Sequence, residues 1–190
     1  MKWFLTFLFI VIFSLRGFAA PGTSATYVID PEKNAFDHNN KGIMYVEEKC
    51  YYAAIQEFKM AISLNPKTQA TAVYFNNLGK VYMTIGYPNL ALDCFKNSVT
   101  QYSLNFEYYQ NLAQCYKTLG QASKQLKIYQ ADESNPLNLV MVGLLHEQLG
   151  DKRKAIITFD EFVMSEPNLI ITPAVKNYIQ KLVKDIQSSL

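Results

Sequence analysis

The feature that most limits what this chain can become is a set of small and aromatic residues that returns at fixed distances. In "KCYYAAIQEFKMAISLNP", Lys49 to Pro66, the residues Ala54, Phe58 and Ala61 fall at steps of four and three. Those steps place them on one face of an α-helix. Short side chains at Ala54 and Ala61 let a second helix approach closely, and Phe58 fills the space beside that contact. Pro66 lacks an N–H and ends the helix. Such a helix needs a partner with a small residue of its own. "HNNKGIMYVEE", just upstream, supplies Gly42 with Tyr45 three residues on. Together they predict a helical hairpin of about 34 residues.

The hairpin recurs. "FNNLGKVYMTIGYPNLALDCF" gives Phe75, Leu78, Gly79, Tyr82, Gly86, Ala91 and Phe95. "YYQNLAQCYKTLG" gives Tyr109, Leu112, Ala113, Tyr116 and Gly120, followed by Tyr129. "LVMVGLLHEQLGDKRKAIITFDEFVMSEP" gives Leu139, Val142, Gly143, His146, Gly150, Ala155, Phe159 and Pro167. The pattern resembles the tetratricopeptide repeat family, in which a large residue, Leu, Gly, Tyr, Ala, Phe and Pro follow at set spacings. The resemblance covers roughly Ala35 to Asn168. It implies an all-α, right-handed superhelical solenoid of four helical hairpins, with first helices on the concave side and second helices on the convex side.

The spacing is not constant. Gly42, Gly79, Ala113 and Gly143 lie 37, 34 and 30 residues apart. The long first interval predicts that the second unit's first helix starts about a turn early, near Thr68. The short last interval predicts a turn missing from the third unit's second helix. "QASKQLKIYQADESNP" is also the poorest match, with Gln125 in place of a small residue. Either Asp132 or, in a shifted register, Ala131 takes its second small position. The third unit is therefore the expected weak point or bend.

The ends carry their own marks. Lys2, the apolar run Trp3 to Phe13 and the exit Gly17-Phe18-Ala19 read as a secretory signal peptide over 1–19. The apolar run is short against the about 20 residues that span a bilayer, so stable membrane insertion after cleavage is not expected. No cysteine follows it for lipid attachment, and the chain reads as exported, periplasmic or secreted. Residues 20–29 read as a flexible lead. Asp30-Pro31-Glu32 is a helix start. The repeat array then occupies 30–169. Thr172-Pro173 opens a last helix within 170–190, with one apolar stripe of Val175, Tyr178, Ile179, Leu182, Val183 and Ile186. A capping helix over the last repeat is the expected role. A free amphipathic helix is the alternative.

Composition excludes some functions. Without Lys2 and Arg16, sixteen basic residues stand against sixteen acidic ones. Phosphate binding needs a basic excess on one face, so this neutral balance weakens any case for nucleic acid. His38 and His146 each occupy a large-residue position of a repeat and read as packed, hydrogen-bonded rings. No nucleophile motif, phosphate loop, metal-ligand spacing or cofactor box is present. No enzyme activity, metal or cofactor is expected. Cys50, Cys94 and Cys115 read as small apolar fillers, with a Cys94–Cys115 bridge between neighbouring helices as the sharper alternative.

Function is then expected on the concave wall. The register assigns to it Phe36, Asn39, Ile43 and Val46 in the first unit, and Asn76, Lys80, Met83 and Thr84 in the second. The third unit contributes Glu107, Gln110, Gln114 and Lys117, and the fourth Val140, Leu144, Glu147 and Gln148. The amides Asn39, Asn76, Gln110 and Gln114 suit the backbone of an extended peptide, and Phe36, Ile43 and Met83 suit apolar side chains. The family's carboxylate clamp is not supported. Asn77 matches its central amide, but Asn39, Ile43 and Glu107 depart from the set. A protein-interaction adaptor or scaffold that binds a segment of an envelope or secreted protein is the leading expectation. Self-association through Tyr51, Tyr52 and Tyr87, or service as an accessory subunit of an envelope enzyme, are the alternatives.

Overall fold

A computed structural model of the chain describes residues 30–188. The expected signal peptide and lead lie outside the described residues. Among the described residues there are nine helices and no strand: α1 (Pro31–Glu47), α2 (Tyr51–Leu64), α3 (Gln69–Thr84), α4 (Pro88–Gln101), α5 (Phe106–Thr118), α6 (Ala122–Ala131), α7 (Leu137–Gln148), α8 (Lys152–Ser165) and α9 (Thr172–Gln187). Each packs on the next or the next but one, in an all-α repeat solenoid.

Local chemistry sets the boundaries. The Asp30 carboxylate accepts the Lys33 N–H at 3.0 Å, and Pro31 opens α1. Thr68 caps α3 in a reciprocal box with Thr71, which accounts for the early start of that helix. Each first helix ends in one turn type. Lys49, Gly86, Gly120 and Gly150 have φ of 61°, 83°, 68° and 91°. The following N–H donates back to the carbonyl of Tyr45, Tyr82, Tyr116 or His146 at 2.8–2.9 Å. This is the left-handed helix stop that glycine adopts without strain.

Within three hairpins the contact is a ring seated on a glycine. A Cβ at Gly42 would lie 2.6 Å from the Phe58 ring, one at Gly79 2.6 Å from Phe95, and one at Gly143 2.5 Å from Phe159. Ala54, Ala91 and Ala155 are fully buried beside these contacts. The glycines are thus needed for the phenylalanines more than for the alanines. The ring lies across the opposing helix where any side chain would stand.

The third hairpin lacks that seat. At the same offset of sixteen residues, Ala113 faces the position of Tyr129. A methyl occupies the space that the glycines leave to a ring, and Gln125 replaces the buried alanine. α5 scarcely touches α6, whereas α1 with α2 and α3 with α4 pair along their lengths. Tyr129 meets the Tyr116 hydroxyl instead. α5 packs on α7 more extensively than α1 packs on α3 or α3 on α5. α6 has 10 residues against 14 in α2, α4 and α8, so the missing turn is where the spacing puts it. Ala131 and Asp132 both lie exposed at its end, and neither fills a small-residue position.

α9 packs on α8 and buries Val175 and Leu182 completely. Tyr178 sets its ring edge-on to Phe106 of α5 at 5.1 Å and to Phe159 of α8 at 6.0 Å. Its hydroxyl donates to the Glu147 carboxylate of α7 at 2.8 Å. One side chain therefore ties the last helix to three others.

Candidate protein-binding groove

Of the first helices α1, α3, α5 and α7, expected to line the concave wall, α1, α3 and α5 are joined by polar side chains that bond to one another. Asn77 Nδ2 donates to Asn39 Oδ1 at 2.9 Å, joining α3 to α1. Asn111 Nδ2 donates to Asn76 Oδ1 at 2.8 Å, joining α5 to α3. Asn76 in turn donates to Glu107 Oε1 at 3.3 Å, and Lys80 reaches the same oxygen at 3.0 Å. Partial burial alone would raise the Glu107 carboxyl. The Lys80 ammonium and the Asn76 and Asn111 amides more than reverse that, and hold it below its ordinary value.

These bonds correct the expected peptide hooks. Asn39 is 5% exposed and Asn76 3% exposed, and both are hydrogen-bonded within the chain. They are struts between first helices, because adjacent first helices stand close enough for one amide to span the gap. The pairing was readable in the sequence. Doublets Asn39-Asn40, Asn76-Asn77 and Gln110-Asn111 recur at the repeat period, and each bond joins the second member of one to the first member of the preceding one.

The fourth unit breaks the series. Its doublet is Val140-Met141, both fully buried. Gln110, left without an amide opposite, is half-buried and bonds the Tyr178 hydroxyl. Leu144, expected on the open wall, is 1% exposed. Its burial follows from the close packing of α5 on α7, which closes the wall at this end. Tyr178 is pushed well above the usual tyrosine range by burial, by its bond to Glu147 and by that carboxylate's charge.

What stays open lies toward the first unit. Between α1 and α3 is a cleft of about 230 Å³ lined by Ile43, Val46, Phe58, Asn77, Lys80, Val81 and Thr84. Ile43 is 40% exposed at its mouth, and Phe36 stands 57% exposed two turns earlier on α1. Met83 is half-buried against the core. Gln114 and Lys117 are exposed on α5. The expected residues thus separate into an open apolar group, Phe36 and Ile43, and exposed polar ones, Lys80, Gln114 and Lys117. Met83 and Gln110 are half-buried, and Asn39, Asn76 and Leu144 are interior.

Other reactive side chains have structural surroundings. His38 Nδ1 lies 2.6 Å from Glu57 Oε2, and His146 lies 3.5 Å from the Gln130 amide. Among the described residues the cysteines are free thiols, with Cys50 exposed and Cys94 and Cys115 buried. Burial pushes the Cys94 thiol up to about 12 and the Cys115 thiol to about 11. Cys115 Sγ donates to the Pro88 carbonyl at 3.2 Å. Among the described residues, no three His, Cys, Asp or Glu gather in a metal-holding group, and no helix is long and apolar enough to cross a membrane.

Comparison with known proteins agrees with this geometry. Residues 138–169 match a family model described as a tetratricopeptide repeat. A search of curated proteins returns no match. A tetratricopeptide repeat protein from Parabacteroides merdae is 20% identical with a TM-score of 0.50; the alignment covers 83% of this chain and 63% of that one. The MamA protein is 20% identical with a TM-score of 0.48, over 70% of this chain and 74% of its own. PilF of Pseudomonas aeruginosa is 20% identical with a TM-score of 0.48, over 76% and 67%. These likenesses are of fold. One hairpin is thus matched by a tetratricopeptide-repeat model, and its neighbours in the all-α repeat solenoid are built to a similar plan.

Proposed function

We propose that this protein is a non-catalytic interaction scaffold that takes an apolar side chain of a partner segment in the cleft between α1 and α3. The repeat fold is in general a protein-interaction scaffold. One observation carries the finer reading: the concave wall is closed by side chains around α7 but left open and apolar at Ile43, with Phe36 exposed beside it. A pocket of this size admits one side chain of a bound segment, while Lys80 at its edge faces the polar part. The partner is an envelope or secreted protein, in keeping with the export segment expected at 1–19, and its meeting place is the periplasm or the medium.

The test is capture of partners by the processed protein from its own compartment, followed by Ile43→Asp. A folded variant that loses the captured protein supports the cleft. A folded variant that keeps it overturns the assignment. Asn76→Ala is unsuitable here, because it removes a strut. A second reading, self-association, is favoured by the exposure of Tyr52 at 71% and Tyr87 at 49%, whereas Tyr51 is packed. Light scattering that shows a strict monomer at high concentration ends it.

A further inference from the structure

The short helix of the third unit leaves a second opening, on the side of the second helices. In the first unit the last turn of α2 brings Ala61 into contact with Tyr74 of the following first helix, and that space is filled. α6 stops a turn early, and the vacated space between α6, α7 and α8 is a pocket of about 530 Å³. Its floor is apolar: Val142 is buried, and Leu139 and Tyr129 are half-buried against the core. Its rim is acidic, with Asp132, Glu133 and Glu161 all exposed. No lysine, arginine or histidine lines it.

The rim is not neutralised from within the chain. Four ion pairs form among the described residues, and none includes these three carboxylates. Asp132 is held ionised by the Ser134 hydroxyl and N–H and by the Asn138 amide. Glu133 and Glu161 make no side-chain hydrogen bond or ion pair among the described residues. A strip of apolar surface runs beside the pocket on α8, with Ile157 66% exposed and Met164 84% exposed.

The geometry points to this pocket as a docking site for a lysine or arginine of a basic, apolar segment of a partner protein. A long aliphatic stem fits Tyr129, Leu139 and Val142, its cationic head meets the acidic rim, and neighbouring apolar residues cover Ile157 and Met164. The site belongs to other helices than the α1–α3 cleft, so it stands or falls separately from that reading. A scaffold with both sites would hold two segments, one between α1 and α3 and one among α6, α7 and α8.

The test uses the full chain with isotope-labelled methyl groups, titrated at physiological ionic strength. The probe is a capped pentapeptide of alternating leucine and lysine, and a leucine–glutamate peptide is the control. Saturable shifts at Leu139 and Val142 with the lysine peptide and none with the control are expected. The double variant Glu133→Lys, Glu161→Lys, which alters only exposed side chains, is expected to weaken binding by roughly tenfold or more. Ile43→Asp is expected to leave it unchanged. No saturation with the lysine peptide, binding undiminished by the double variant, or shifts centred on the α1–α3 cleft would each overturn the proposal.

Discussion

The second and third hairpins share a turn, a tyrosine in the first helix and a ring sixteen residues after the small position, yet one is closed and the other parted. In the second, Gly79 lets Phe95 lie flat on the helix. In the third, Ala113 and Tyr129 take those positions, and α5 turns to α7 for its packing. The hairpin without a glycine under its ring is the one whose first helix packs elsewhere. The consequences extend further. α5 closes the concave wall at Val140 and Leu144, and α6 leaves a pocket behind it. The same contact that builds the solenoid therefore decides, by its absence, where the molecule is open.

The sharpest way to break this comparison is to remove the two rings. Phe95 is 2% exposed, and Phe95→Ala should cost about 3–5 kcal/mol. Tyr129 is half-buried, holds no helix closed, and should cost no more than about 2 kcal/mol when cut to Ala. Urea unfolding measures both. Equal losses would mean that the third hairpin depends on its ring as the second does, and that the parting of α5 from α6 has another cause.

Alkali separates the halves by a different route. Burial raises Tyr108, Tyr109, Tyr116, Tyr129 and Tyr178 in the region from α5 onward, and Tyr74 in the region before it. Unfolded tyrosines titrate near about 10. Above that pH the unfolded chain gives up protons that the folded chain keeps. The tyrosine share of the stability is thus whole below about 10 and falls as pH rises, by at most about 1.4 kcal/mol per pH unit for each tyrosine, while the buried Cys94 and Cys115 thiols add a loss that begins lower, above about 8.5. By pH 11 the tyrosine share of the loss, about 2–4 kcal/mol, should fall mainly on α5–α9. Hydrogen exchange followed with pH in a Cys94→Ala, Cys115→Ala background, which removes the thiol share, should show those amides opening first, and earlier opening of α1–α4 would contradict it.

The strut contrast is smaller. Asn77→Ala leaves the Asn39 carbonyl oxygen buried without its donor, at a cost of about 1–3 kcal/mol. No such cost exists at the junction of α5 with α7, which has no amide strut. If Asn77→Ala proves neutral by urea unfolding, the amide pair is replaceable by water, and Asn39 regains its claim as a binding group.

Much of this was legible in the residues. The hairpins, the early start at Thr68 and the lost turn in α6 all follow from intervals between small residues, because a helix converts a count directly into length. The groove was less legible. Whether Asn39 and Asn76 face a peptide or each other's neighbours depends on the distance between first helices, and side-chain periodicity is blind to that distance. Leu144 was misplaced for a related reason. Assigning concave residues by register assumes equal curvature at every junction, and Ala113 makes the third junction tighter. The stop of the asparagine doublets at Val140-Met141 was the available sign.

The smallest effect tests whether turns or ring seats distinguish the units. Lys49 occupies the left-handed position that Gly86, Gly120 and Gly150 hold elsewhere, at φ 61°, and its exposed side chain makes no hydrogen bond or ion pair among the described residues. A side chain there costs about 1–2 kcal/mol of backbone strain, part of which glycine returns through its freer unfolded chain. Lys49→Gly should therefore stabilise the protein by about 0.5–1 kcal/mol, read as a higher urea midpoint with unchanged slope. The first hairpin is closed despite this strained turn, and the third is parted despite the relaxed glycine at Gly120. A gain at Lys49 without change in the α1–α2 packing would show that turn strain adds to stability independently of closure. Closure would then belong to the glycine under the ring. A loss would mean that the turn at Lys49 is held by something other than its own backbone preference, and the turn would return as a cause of the difference between the hairpins.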